Sequence, residues 1–457
     1  MMEWTNSIPN DGIIRYLAIA NQERLLITNP KALAEVLVTK NYDFEKPEAV
    51  RTILGSILGN GLFFAEGAEH HVQRRKMMPA FAFRHTKELY PVFWTKAREA
   101  VDAMTDHIIR NSITEGQEGS VVEVGAWASR ATLDIIGVAG LGRDFGAIDN
   151  PDNELTQTYS AMFRPSTQGR IIALLAQFLP GWFIDRIPMQ RNNDIRGAVR
   201  YIRSVCADLI RSKKQHLSHS KNTDVDILSV ALESGTFTDE ALIDQLMTFL
   251  LAGHETTAAS MTWAAYLLAK HRDVQLRLRE EVRAHLPPIT GTETVSSVDI
   301  DHLPYLNAVC NEVLRYMAPV SVLSRDAARD TNIQGHFVPK GTRIILSPWA
   351  VNKSTAMWGE DALEFKPERW LGEKAAGNGG ASSNYAFMTF LHGPRSCIGK
   401  EFAKAEFACL LASWAGKFDM ELFNEEERDE KNIEIKGGIT SRPSKGMYLR
   451  LKVLEGW

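Results

Sequence analysis

The chain is poor in cysteine, with four among 457 residues (Cys206, Cys310, Cys397 and Cys409), and no two of them form a C-x-x-C pair. That scarcity excludes a disulfide framework and a cysteine-built zinc site, and it suits a reducing compartment. No block of one charge sign occurs, and the net charge is only -4, so nothing points to nucleic acid. No G-x-G-x-x-G opens a βαβ unit: Gly59-Asn60-Gly61 lacks the third glycine and the context, so nothing points to a dinucleotide-binding segment. No internal repeat and no long linker divide it.

Long hydrophobic runs are also missing. Ile13 to Ala20 is interrupted by Arg15 and is too short to span a bilayer. Leu246 to Ala269 has the length, but His254, Glu255 and two threonines lie at its centre, where lipid tolerates them poorly. Ile171 to Ile184 stops short of a span and contains Pro180-Gly181. It either packs on the core or lies on a membrane surface.

What is present is a large-core composition, 44% hydrophobic and 24% charged with 10 tryptophans. Helical periodicity covers 30–38, 70–78, 89–109, 127–138, 195–214, 239–270, 273–284, 305–316 and 401–414. Short β-like runs are 25–28, 332–338, 342–347 and 447–453, with a Gly/Ala/Ser-rich surface loop over 372–383. The pattern predicts a mainly α protein with small β-sheets.

One stretch carries chemistry: Phe390-Leu391-His392-Gly393-Pro394-Arg395-Ser396-Cys397-Ile398-Gly399, just ahead of an apolar helix. A thiol there feels the positive helix end and backbone N–H groups, which favour thiolate. Gly393 and Gly399 permit close backbone approach, Arg395 can bind a carboxylate bidentately, and Phe390 can shield the sulfur. The alternative is a buried structural thiol. Upstream, Thr238 can cap a helix through Lys270 whose middle reads Ala252-Gly253-His254-Glu255-Thr256-Thr257. Small residues beside an acid and a hydroxyl suit a proton route. The competing reading has the threonines bonding back to carbonyls one turn earlier. Glu312 and Arg315, at i and i+3 among Val309, Val313 and Leu314, suit a buried ion pair, and Arg369 in Phe365-Lys366-Pro367-Glu368-Arg369-Trp370 offers a second guanidinium. An ordinary surface pair is the alternative.

These segments, in this order, resemble the cytochrome P450 family, eukaryotic microsomal and fungal members above all. The spacing Phe-x-x-Gly-x-Arg-x-Cys-x-Gly is similar to its haem-binding signature, although Leu391 stands where the family more often has Ser or Gly. The resemblance implies one domain over residues 1–457, with haem b between a long distal helix and a proximal helix after the cysteine loop. It implies Cys397 as iron ligand, a thiolate donor that favours O–O cleavage. Cofactor contacts would come from Arg395, Phe390, Gly393 and Gly399, with His70, Arg74 and Arg325 as propionate partners, His70 replacing the family's usual Trp. Glu255 and Thr256 match the acid–alcohol pair, and Glu312, Arg315 and Arg369 match a buried triad that supports the fold.

The expected activity is monooxygenation of a mostly apolar substrate in secondary metabolism, with Phe249, Leu250, Ala252, Val320 and Val322 as pocket candidates. O₂ and NADPH–cytochrome P450 reductase are the expected partners, with Arg75, Lys76, Lys400 and Lys404 as a docking surface. The expected site is the cytoplasmic face of the endoplasmic reticulum, with peripheral membrane contact; the cytoplasm is the alternative, because no N-terminal membrane helix is visible. The competing functions are a haem-thiolate isomerase or dehydratase needing neither O₂ nor reductase, and a haem sensor or carrier.

Overall fold

The computed structural model describes residues 1–115, 118–163, 168, 171–172, 175, 183, 190–219, 226–235, 237–372, 377–436 and 440–457. Strands β1 (Ile13–Leu17) and β2 (Glu23–Ile27) form an antiparallel hairpin. Helix α1 (Pro30–Ala34) follows, with Asn29 as its cap and Pro30 in its first turn, and it widens into a π-turn over Glu35–Thr39. Then come β3 (Phe44–Glu45), α2 (Glu48–Leu58), α3 (Gly67–Met77), α4 (Tyr90–Glu115), β4 (Ser120–Glu123), α5 (Val124–Ile135) and α6 (Gln190–His219). The second half runs α7 (Asp239–Lys270), α8 (Arg272–His285), α9 (Pro304–Tyr316), β5 (Leu323–Ala327), β6 (Thr331–Ile333), β7 (His336–Val338) and β8 (Arg343–Leu346). It ends with α10 (Lys400–Lys417), β9 (Phe418–Leu422), β10 (Ile435–Lys436), β11 (Arg442–Pro443) and β12 (Tyr448–Val453).

The sheets are small and peripheral. One has the order β1-β2-β8-β5-β3, parallel only between β2 and β8; a second has the order β4-β12-β9. The mainly helical class is as the periodicity predicts. Seven strands are additions to the expected runs: β1, β3, β4, β5, β9, β10 and β11. The run 332–338 is not one strand but the β6–β7 hairpin. Its turn residues Gln334 and Gly335 have φ of 50° and 84°, the paired positive values of a tight two-residue hairpin loop.

The main core gathers α4, α5, α7, α8, α9 and α10 around Trp94, Trp263, Trp414 and Phe407. A second cluster, built on Ile27, Leu33, Phe44, Ile344 and Met388, lies under the five-stranded sheet, and Leu391 packs against it. The cysteine loop runs between the two. Helix α7 begins and ends as anticipated, capped by the Thr238 hydroxyl on the Ala241 N–H. Its 32 residues extend about 48 Å.

Among the described residues no helix is long and apolar enough to cross a membrane. Most of the apolar segment 171–184, and residues 373–376 of the Gly/Ala/Ser-rich loop, lie outside them.

Candidate active site

The cysteine loop is held closed by its own backbone. The Cys397 N–H donates to the Phe390 carbonyl at 2.8 Å, and the Ser396 N–H to the Gly393 carbonyl at 3.0 Å. Gly393 has φ of 73°, and a Cβ there would lie 2.1 Å from the Leu37 carbonyl oxygen in the π-turn. Packing on that turn, in addition to any need of the sulfur, therefore demands glycine. At Gly399 a Cβ would meet, among the described residues, only the Phe81 ring, at 3.6 Å. Phe390 is partly buried against the main core, with its ring centroid 6.3 Å from that of Phe387.

Cys397 is accessible to water, yet its thiol lies deep among protein atoms. That combination marks the wall of a recess. Burial pushes the thiol's pKa up, and the Gly399 N–H, Arg74 and Lys400 pull it down by less. The expectation that helix end and backbone alone favour thiolate is thus corrected: desolvation wins, and a cation bound to sulfur is what would hold the thiolate.

Behind the loop lies a buried polar network. Arg315 grips both oxygens of Glu312 at 2.8 and 2.7 Å, and Arg369 donates to Glu312 at 3.0 Å, with Glu312 and Arg315 fully buried. The Trp370 indole and the Lys366 N–H complete the carboxylate's shell. Arg315 also donates to the Asn352, Ala362 and Glu364 carbonyls. Asn352, fully buried, then ties this network to the loop. Its amide donates to the Arg315 carbonyl at 3.1 Å and to the Thr389 hydroxyl at 2.9 Å, and its oxygen accepts from the Met388 N–H at 2.7 Å. Thr389 in turn donates to the Leu314 carbonyl. Phe390 is the next residue. Asn352 and Thr389 escaped the sequence reading because no local pattern announces a contact 37 residues apart.

On the other side of the loop sits an excess of buried positive charge. Lys46, Arg325 and Arg395 are each less than 10% exposed, and the carboxylate paired with two of them is Glu66. Arg395 pairs with Glu66 and donates to the Ala65 carbonyl, and its buried Nε has no hydrogen-bond partner among the described residues. Burial, then Arg325, lowers the Lys46 pKa to about 7; burial, then Arg395, lowers that of Arg325 to about 10. His70 is buried, with Nδ1 3.2 Å from the Tyr42 hydroxyl. Burial and then Arg395, Lys46 and Arg74 lower its pKa to about 3, so it stays neutral. Arg74 is turned to the cysteine loop, donating to the Ser396 carbonyl at 2.7 Å and to its hydroxyl at 3.2 Å. Mutually repelling buried cations with an orphaned guanidinium N–H suit the carboxylates of a porphyrin. The residues present fit the haem that the resemblance implies, and Lys46 joins the set although nothing in its sequence context marked it.

Helix α7 carries the remaining candidates and meets the cysteine loop through Phe81, whose ring lies against both Phe249 and Gly399. The helix is buried almost throughout, but Ala252 is exposed, and Gly253, Glu255 and Thr256 are half-buried. Thr256 donates to the Ala252 carbonyl at 2.8 Å. Glu255 is held by Arg442, 2.9 Å from Oε2, and sits 3.4 Å from His254. Arg442 also donates to the Glu255 carbonyl, so β11 is pinned to this turn.

Not every candidate reaches the recess. Leu250 is fully buried, roughly 200° round the helix from Ala252, and offers no surface to a substrate. Phe249 is also buried, edge-on to Phe81 with ring centroids 5.3 Å apart. Val320 is half-buried and Val322 is 44% exposed. Of the basic residues, Arg75 and Lys400 are exposed, whereas Lys76 lies over the Phe237 ring. Lys404 is half-buried, and burial lowers its pKa, so it is a poor docking charge.

Residues 12–450 match the family model described as Cytochrome P450. The chain is 47% identical over its whole length to the cytochrome P450 monooxygenase sphH of Aspergillus fumigatus, covering 84% of that protein. It is 42% identical to ALT8 of Alternaria alternata (100% of this chain, 85% of that one). It is 44% identical to FUM15 of Gibberella moniliformis (98% and 83%). Both of those are also named cytochrome P450 monooxygenases. The isomerase or dehydratase alternative finds no support among them.

Proposed function

The chain belongs to the cytochrome P450 family and is a monooxygenase of the oxidoreductase class; from that premise we propose that it inserts one oxygen atom of O₂ into a mostly apolar organic substrate, a fungal secondary metabolite or its precursor. Haem b, held through Cys397, would supply the oxygen activation and the attack on carbon. The chain's own residues do the rest. Lys46, Arg325 and Arg395 would hold the porphyrin carboxylates, while Arg74 and Asn352 fix the loop that carries the sulfur. Gly253 packs against Ile136, whose side chain a Cβ at that glycine would meet at 2.9 Å, whereas Ala252, exposed on α7, would border the site of the haem. Thr256 orients a proton donor there, and Glu255 passes protons inward from solvent. Electrons come from NADPH–cytochrome P450 reductase docking near Arg75 and Lys400. We place the enzyme at the cytoplasmic face of the endoplasmic reticulum by its resemblance to microsomal relatives.

The observation that carries this reading is the recess itself. A lone cysteine in a loop pinned from behind lies beside three buried cations, Lys46, Arg325 and Arg395, of which Lys46 and Arg395 pair with one carboxylate, that of Glu66. The test is a reduced-plus-CO spectrum of the wild type beside Cys397→Ser. The wild type should show the thiolate's red-shifted Soret band and Cys397→Ser should lose it. A wild type without that band, or product formed without NADPH and reductase, refutes the proposal.

A further inference from the structure

His254 enters the sequence reading only as a polar interruption of an apolar run. Its ring is 2% exposed, and Nδ1 lies 2.6 Å from the Leu250 carbonyl oxygen. A carbonyl oxygen only accepts, so Nδ1 carries a hydrogen and the tautomer is fixed. In a neutral ring Nε2 then presents a lone pair, and it presents it to Oε1 of Glu255 at 3.4 Å. A lone pair facing a carboxylate oxygen is repulsive. A proton between the two atoms, on either one, makes the contact attractive.

We infer that His254 and Glu255 hold one proton in common, and that His254 is the positioning residue that loads Glu255 for delivery toward Thr256. The step is a plain proton transfer. The Nε2–H bond breaks, its electron pair stays on the imidazole, and an O–H bond forms on Oε1. Water reaching the one-fifth exposed Glu255 side chain returns the proton to the pair. The inference rests on the proposed relay role of Glu255.

The neighbouring charges leave room for this exchange. Arg442 on β11 engages the other carboxylate oxygen, Oε2, and the Glu255 carbonyl, so Oε1 faces the ring. On α5, Thr132 binds the His254 carbonyl, Asp134 accepts from the Ala147 and Ile148 N–H groups, and Arg130 stacks on Trp127. On α10, Glu406 meets Thr257.

The test has two readouts. In the haem-free protein, nitrogen NMR of the His254 ring should show a hydrogen on Nδ1 and an Nε2 signal that shifts in Glu255→Gln; an Nε2 signal indifferent to that change would overturn the inference. The second readout uses haem-loaded protein with reductase, NADPH and O₂ and no organic substrate. It measures the ratio of peroxide to water formed from mildly acidic to mildly alkaline pH. In His254→Phe the ratio should rise roughly ten- to a hundredfold, at or below the lower end of what a positioned proton donor contributes. His254→Gln keeps an N–H near Glu255 but cannot give up its proton, so the wild-type pH profile should flatten there too. Gln is the conservative change and carries the test if Phe impairs folding. Wild-type ratio and profile in His254→Gln, with Glu255→Gln altering both, would overturn the inference and leave the relay intact. Wild-type behaviour in Glu255→Gln would overturn the relay, and the inference with it.

Discussion

Replacing Asn352 with alanine tests whether the cysteine loop is positioned by the protein. The side chain is fully buried and makes three hydrogen bonds. Truncation leaves the Met388 N–H without an acceptor, and an orphaned buried donor costs about 1–3 kcal/mol. The Arg315 carbonyl and the Thr389 hydroxyl each lose a donor, although Thr389 keeps its bond to the Leu314 carbonyl. The whole should come to roughly 2–4 kcal/mol, one and a half to three decades in the folded-to-unfolded ratio. Denaturant titration of the haem-loaded protein measures this, and the reduced-plus-CO spectrum reports the loop separately. The thiolate band should shrink relative to total haem, because Phe390 follows directly on the tethered pair. Thr389→Val should be coupled to Asn352→Ala by about 0.5–3 kcal/mol in a double-mutant cycle. An unchanged midpoint with a full thiolate band in Asn352→Ala would refute the reasoning, since the network would then be irrelevant to sulfur placement.

Thr256→Ala should keep oxidising NADPH but release peroxide in place of product; tightly coupled turnover would contradict the relay. Haem affinity should fall as pH climbs above about 7, because Lys46 in the haem-free chain titrates near there and a porphyrin carboxylate raises its pKa. The gain from that contact is whole below the lower value and lost above the higher one, so Lys46→Met should flatten the slope in a haem titration. Glu406 is buried, neither of its carboxyl oxygens has a hydrogen bond of good geometry among the described residues, and burial raises its pKa well above the ordinary 4.5. The folded protein therefore binds more protons than the unfolded chain above that ordinary value, and its stability declines as pH rises. Glu406→Gln should melt higher than the wild type at neutral pH, with a weaker pH dependence.

Much of this was readable in the sequence because it is local. The ends of α7, its Thr238 cap and the i, i+3 pair of Glu312 and Arg315 depend on residues within one or two turns. The cysteine loop is one ten-residue word. What escaped depends on distant partners. Lys46, Asn352 and Arg442 have no neighbours in sequence that mark them, and each acquires its role from a residue far along the chain. Strand β5 was hidden because the Arg325 side chain, a charge, takes an inward position. Strand β9, with Phe418, Met420 and Leu422 alternating inward, did carry a period-two signal that could have been found. The thiol's pKa went the other way because desolvation depends on the surrounding atoms.

Leu391 stands at the neck of the cysteine loop with φ of 55°, a left-handed conformation that costs a non-glycine residue about 1–2 kcal/mol. Its side chain is wedged against the cluster beneath the five-stranded sheet, which recovers part of that cost. Side chain and backbone thus pull against each other like a sprung latch. A glycine here would ease the backbone and free the hinge, making the sulfur's position softer even as the fold relaxed. Bulk at this one position ties the stiffness of the iron's anchor to a sheet on the far side of the loop.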